Sequence, residues 1–200
     1  MRKPTAAVPA GYNAVMPYLR VRGASAAIEF YKKAFGARKR MLLTMGDRIG
    51  HAEVEIGGCV VMLSDEFPEM GVLGPQGLKG TTVTIALYVA DVDKTMAKAV
   101  AAGGIIKRPA TDEFYGERAG QIEDPFGHVW MIQTRIEEVS SREMQKRLDR
   151  LMADASSQAA QKEPAQKVPA QKVPARKPAR NEAPRKAPSR KAPSRKAKGK

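Results

Sequence analysis

The sequence predicts an α+β fold: paired βαβββ modules, followed by a C-terminal helix and a disordered basic tail. Three observations predict it. A strand–turn–helix stretch, VMPYLRVRGASAAIEFYKKAFGA at 15–37, returns 68 residues later as VTIALYVADVDKTMAKAVAAGGI at 83–105. A repeat of that period is too long for a solenoid and points to a duplicated module. Between the repeats, apolar and polar residues alternate with period two, the mark of half-buried strands. After Met152 the composition changes abruptly.

Residues 1–12 have no apolar pattern and read as a mobile leader. Val15 to Val21 alternates as a strand, with Pro17 placing it at an edge because proline cannot donate to a ladder. Ala24 to Phe35 carries apolar residues at spacings of three and four, the helical period, with Ser25 as the expected cap and Gly36 as the stop. Strands at 38–44, 49–56 and 59–63 follow, the last two joined by the turn Gly57-Gly58. These make a first module, 13–65. The Gly- and Pro-rich stretch 65–80 reads as a linker. The second module, 82–135, repeats the plan with a strand at 82–89, a helix at 92–102 and a strand at 105–109. A loop at 111–118, a strand at 119–123, the turn Asp124–Gly127 and a strand at 128–134 complete it. Ser140 and Glu143 form a capping-box pattern at the head of a helix over 139–152.

The segment 153–200 has no aromatic residue and holds half of the chain's 14 prolines, so it cannot bury enough surface to offset its ordering entropy. Of the net charge of +14, residues 151–200 contribute +11. Only the tail therefore argues for a polyanion such as DNA or RNA, through Lys186, Arg190, Lys191, Arg195 and Lys196. Without aromatics to stack on bases, that contact would be non-specific. Cys59 is the only cysteine, which excludes an internal disulfide. No run approaches the ~20 apolar residues of a membrane span, and the N-terminus lacks a secretory pattern, so no membrane partner and a cytoplasmic location are expected.

PYLRVRGASAAIEFYKKAFGA, GHAEVEIGG, LYVADVDKTMAKAVAAGG and FYGERAGQIEDPFGHVW resemble the vicinal oxygen chelate superfamily, the glyoxalase/bleomycin resistance protein/dioxygenase family, over residues 13–136. The resemblance implies a cup whose outside is covered by helices and whose inside holds a small ligand. It also implies a homodimer. In metal-dependent relatives, ligands stand on the first and last strands of each module; the motif spacing puts those places at Met16, Leu63, Thr84 and Met131. Three are hydrophobic, and none offers the imidazole or carboxylate a divalent metal wants. No metal and no cofactor are therefore expected.

The alternation assigns the faces. Val15, Leu19, Val21, Ala52, Val54, Ile56, Val83, Ile85, Leu87 and Val89 should face the helices. Met16, Tyr18, Arg20, His51, Glu53, Glu55, Cys59, Val61, Leu63, Thr82, Thr84, Ala86, Tyr88, Gln121, Met131 and Gln133 should face the cup. His51 with Glu53 is the candidate acid–base pair; the plain alternative is a hydrogen-bonded strand histidine. Tyr18, Arg20, Tyr88, Tyr115, Arg118 and Gln121 are the candidate ligand contacts, with Arg118 also able to form a salt bridge to Glu117 or Asp112. His128 and Trp130 read as structural. Three functions remain open: binding of a small polar molecule, a glyoxalase-type lyase or isomerase using His51 and Glu53, and nucleic-acid association through the tail.

Overall fold

A computed structural model of the chain describes residues 5–162. The first module contains β1 (Tyr18–Val21), α1 (Ala24–Phe35), β2 (Arg38–Met45), β3 (Arg48–Ile56) and β4 (Cys59–Asp65). A single 3-10 turn and the short helix α2 (Pro75–Leu78) occupy the linker. The second module contains β5 (Thr84–Tyr88), α3 (Val92–Ala101), β6 (Ile105–Asp112), β7 (Glu117–Glu123) and β8 (Val129–Arg135). The long helix α4 (Ser141–Lys162) follows. The sheets have the same topology, β1-β4-β3-β2 and β5-β8-β7-β6, with the first strand of each module parallel to its last. The duplication and the α+β class expected from the repeat are present.

Each helix forms for local reasons. Gly36 ends α1 in the left-handed region, φ 69°, as its position after Phe35 predicts. Ser25 does not cap α1. Asp65, at the end of β4, does so from a distance: its Oδ1 accepts from Gly23 N at 3.0 Å and Ala24 N at 2.7 Å, and its Oδ2 accepts from Ile49 N at 2.7 Å. One carboxylate thus fixes the entry to α1 and the start of β3. Helix α3 has the ordinary arrangement, with Asp91 accepting from Lys94 N at 2.9 Å.

The two helices and the helix-facing sides of both sheets share one core. It includes Val21, Ala52, Val54, Ile56 and Leu63 from the first sheet and Leu87, Ile122, Trp130 and Ile132 from the second. Tyr31 and Phe35 of α1 reach across to Trp130, with ring centroids 5.4 Å and 4.7 Å apart. Asp124 locks this crossing. It is buried, and its Oδ2 accepts from Tyr31 Oη at 2.8 Å and Trp130 Nε1 at 2.9 Å. Its Oδ1 accepts from the backbone N–H of Phe126 and His128, both at 2.9 Å. Burial, followed by the charge and hydrogen bond of Asp124, holds the Tyr31 phenol well above its usual pKa. At Gly120, a β-carbon would meet the end of the Met96 side chain, which would have to turn aside.

Several expectations are corrected. Cys59, Val61 and Leu63 face the helices rather than the cup; Leu63 is fully buried and pairs with Leu19 and Ala52. The cup-facing residues of β4 are Val60, Met62 and Ser64; Val60 pairs with Glu55, and Met62 and Ser64 pair with Tyr18 and Arg20. The cause is a difference in turn length. Gly57 and Gly58 join β3 to β4, whereas Pro125, Phe126 and Gly127 join the Asp124–His128 pair of the second module. The extra residue changes the repeat offset from 68 to 69 for the last strand, which reverses the faces expected for β4 and leaves those of β8 as expected. Met131 therefore corresponds to Met62, not Leu63. Val15 and Val83 lie ahead of the strands and are exposed, not packed on a helix. The expected 111–118 loop shrinks to 113–116 because β6 and β7 extend into it. Helix α4 runs to Lys162, past the expected end at 152, with Ser140 Oγ accepting from Glu143 N at 3.3 Å.

Asp124→Ala should strand two buried side-chain donors and two backbone amides and cost about 3 kcal/mol or more in a urea melt, against roughly 1 kcal/mol for Tyr31→Phe. Equal, small losses would mean that the carboxylate does not lock the modules.

Candidate functional site

The open face of the first sheet carries a continuous polar chain. Register places Tyr18, Met62, Glu53 and Met41 in one cross-strand row, and Arg20 opposite Ser64 in the next. Tyr18 Oη lies 2.8 Å from His51 Nδ1, and His51 Nε2 lies 3.3 Å from Glu53 Oε1. Glu53 Oε2 accepts from Tyr12 Oη at 2.6 Å. With Glu53 ionised, Nε2 carries the imidazole proton, so Nδ1 accepts from the Tyr18 hydroxyl. Both ring nitrogens of His51 are thereby occupied, and Tyr18 is the member of the chain whose ring meets open space.

Glu53 is buried, which by itself would raise its pKa, but donation from Tyr12 and His51, with the charge of Arg40, outweighs burial and holds it below the usual carboxylate range. Glu53 in turn raises the Tyr12 phenol. Arg40 sits over the Tyr12 ring at 4.8 Å and donates to Gly11 O at 2.8 Å, pinning the leader to the sheet. Tyr12 was missed because it precedes the first periodic residue, within the stretch read as mobile. A tyrosine just ahead of a strand gave no pattern to find it by.

Arg20 stacks over the Tyr18 ring, its guanidinium carbon 4.0 Å from the centroid, and donates to Ser64 Oγ. Among the described residues it forms no ion pair. Two recesses meet at the Tyr18–Arg20 wall. One, of about 560 Å³, extends along the linker past Gly74, Leu78, Thr82 and His128. The other, of about 230 Å³, is lined mainly by Met45, Phe67, Met70 and Val72. Gly74 is required there, because a β-carbon would strike the Arg20 carbonyl. Glu66 holds the linker in place: the Gly74 N–H at 2.8 Å and then Arg22 Nε at 3.0 Å keep its pKa low against the effect of burial.

Of the residues singled out from sequence, Tyr18, Arg20, His51 and Glu53 converge. Tyr88 and Gln121 lie on the corresponding face of the second sheet, where Gln121 pairs with Met131 and Tyr88 with Gln133. Tyr88 donates to Glu117 at 2.5 Å and remains largely exposed. Tyr115 lies in the 113–116 loop against Phe114. Arg118 points to the helix side, with Asp93 held by two 2.8 Å bonds and Asp112 by one. Its salt-bridge partners therefore include Asp112, as one reading had it, and Asp93 in place of Glu117. Cys59, being on the helix side, is not a neighbour of His51. His128 Nε2 lies 3.1 Å from Arg20 O and helps hold that strand. Lys186, Arg190, Lys191, Arg195 and Lys196 lie outside the described residues.

The family's usual metal corners correspond to Met16, Met62, Thr84 and Met131, with Met62 replacing Leu63 after the register correction. Thioethers and one hydroxyl do not fit a hard divalent cation. Among the described residues no group of three or more His, Cys, Asp or Glu could hold a metal.

Because the folded-state pKa of Glu53 is depressed, its stabilising contribution is full above the ordinary carboxylate range and is lost as pH falls through the depressed value. Tyr12→Phe should raise the Glu53 pKa measured by carboxyl-carbon NMR titration and shift acid unfolding to higher pH. An unmoved titration would show that Tyr12 does not bind the carboxylate.

Comparison with known proteins agrees with this architecture. An uncharacterized protein of Mycobacterium bovis is 39% identical over 136 residues, covering 66% of this chain and 90% of that one. Protein YjdN of Escherichia coli is 27% identical over 138 residues, covering 58% of this chain and 91% of its own. Among solved structures, protein PA1353 from Pseudomonas aeruginosa superposes with a TM-score of 0.51 at 25% identity, covering 60% of this chain and 96% of that one. An Arabidopsis thaliana gene product gives 0.50 at 26% identity, with 60% and 98% covered. No helix among the described residues is long and apolar enough to cross a membrane. Residues 11–132 match the sequence profile of the Glyoxalase/Bleomycin resistance protein/Dioxygenase superfamily, and the chain belongs to that family.

Proposed function

We propose that this protein binds a small polar molecule on the open face of its first sheet, around Tyr18, Arg20 and His51, without a metal at the family's usual corners. The observation that carries this reading is the convergence of an unpaired guanidinium and a hydrogen-bonded Tyr–His–Glu chain at the wall between two recesses. A pocket of this size with few convergent polar groups is the ordinary form of a small-molecule site.

A homodimer is part of the proposal. The face opposite the helices leaves apolar side chains bare: Met41 is 41% exposed, Leu43 56%, Met45 59% and Tyr88 59%. Exposed apolar surface of this extent on a strand face calls for a partner. A second copy would cover it and turn each open sheet into a closed cup.

The same chain favours a second reading, lyase or isomerase chemistry. In it, Tyr18 rather than His51 exchanges a proton with substrate, while His51 and Glu53 take up and stabilise the charge. The basic tail is a separate proposal, a salt-sensitive contact with nucleic acid.

Light scattering on the full chain should give about twice its 21.8 kDa mass. Leu43→Glu should shift it to the monomer; a monomeric wild type rejects the dimer. Titration calorimetry with Zn²⁺, Ni²⁺ and Fe²⁺ should show no stoichiometric site, and tight one-to-one uptake tied to turnover would reject the metal-free reading. Tyr18→Phe and His51→Ala should each remove most ligand-dependent thermal stabilisation in a small-molecule screen; binding unaffected by either would move the site elsewhere.

A further inference from the structure

The charges around the two recesses can be followed one by one. Arg22 is paired with Glu66 at 3.0 Å. Arg48 lies on the Phe67 ring and is paired with Glu69 at 2.5 Å. Glu53 is satisfied by Tyr12 and His51. Arg20 alone among these groups lacks an opposite charge. One of its N–H groups goes to Ser64 and its plane is fixed by the Tyr18 ring, so its other donors form a fork held in place before any ligand arrives. A planar fork of that kind matches a carboxylate or related oxyanion with two parallel bonds.

Beside it, the smaller recess has an apolar character. Met45, Phe67, Met70 and Val72 line it, with Met45 59% and Met70 68% exposed on its rim. Methionine is unbranched and polarizable and adapts to ligands of varied shape. The unpaired cation and the methionine-lined recess meet at the same two residues, Tyr18 and Arg20.

Resting on the small-molecule reading above, we propose that the ligand is an amphipathic organic anion. Its oxyanion head is bound by Arg20 and its apolar body lies in the Met45–Phe67–Met70 recess. Tyr18 marks the junction, its ring supporting the guanidinium and its hydroxyl directed to His51. The class excludes cations, which Arg20 repels, and small inorganic anions, which leave the apolar recess empty.

The test uses the full-length protein and titration calorimetry with butanoate, hexanoate, octanoate and benzoate, with hexanamide as the neutral counterpart. Affinity should rise by up to about fourfold for each methylene that enters the recess. Hexanamide should bind about tenfold or more weakly than hexanoate. Arg20→Gln should remove that difference and leave hexanamide unchanged, and Arg20→Lys should fall between because it keeps the charge but not the fork. Met70→Ser, at an exposed position, should flatten the chain-length gain. The basic tail cannot mimic this result, since its attraction is the same in every variant and indifferent to chain length. If hexanamide matches hexanoate, or Arg20→Gln binds carboxylates as wild type does, the anion class is wrong while the pocket stands. If neither acids nor amide bind the wild type, this inference fails; if a broad screen of neutral and cationic compounds also fails, the small-molecule site falls with it.

Discussion

The carboxylate of Asp124 is the constraint on which the remaining architecture depends. A buried carboxylate is costly unless its lone pairs are filled, and here four donors fill them: a phenol from α1, an indole from β8 and two backbone amides of the intervening turn. The donors come from both modules. The crossing of α1 over the second sheet is therefore fixed by directional bonds as well as by the aromatic packing of Tyr31, Phe35 and Trp130. Apolar packing alone tolerates sliding, whereas four hydrogen bonds to one carboxylate do not.

The duplication gives two similar sheets, but they do not carry equal chemistry. Where the first has Tyr18, Arg20, His51, Glu53 and Ser64, the second has Ala86, Tyr88, Ala119, Gln121 and Gln133 at corresponding register. The proton-carrying chain and the unpaired guanidinium belong to the first sheet alone. A symmetric scaffold thus presents two different faces, the second with Tyr88 bonded to Glu117 beside the amides of Gln121 and Gln133, an arrangement suited to a cup whose walls come from different modules. The edge strands are protected in the usual manner. Strand β2 bears Arg38, Lys39 and Arg40, β6 bears Lys107, Arg108 and Pro109, and both have register irregularities that discourage edge-to-edge pairing.

The residues that converge at the site were partly visible beforehand. Strand alternation put Tyr18, Arg20, His51 and Glu53 on one face, and the structure keeps them there. It could not rank them, because alternation says which side a residue occupies and not which neighbour it bonds. Tyr12 and Ser64 escaped for different reasons. Tyr12 reaches Glu53 from an aperiodic segment 41 residues away. Ser64 was lost to the register slip, as was Met62, since one extra turn residue inverts every side chain of the strand that follows. Asp65 stands where the first module meets the linker, yet it caps a helix that precedes it by 41 residues.

The sequence by itself determined the duplicated module, the helix and strand periods and the concentration of charge in the tail. Each is a property of local spacing or residue type, written along the chain at short range. Only the tertiary structure decided the partners: Asp124 with Tyr31, Glu53 with Tyr12 and His51, Arg118 with Asp93, and Arg20 with no carboxylate among the described residues. Those pairings depend on which strands lie side by side and in what register. A turn one residue longer changes them without altering any local pattern.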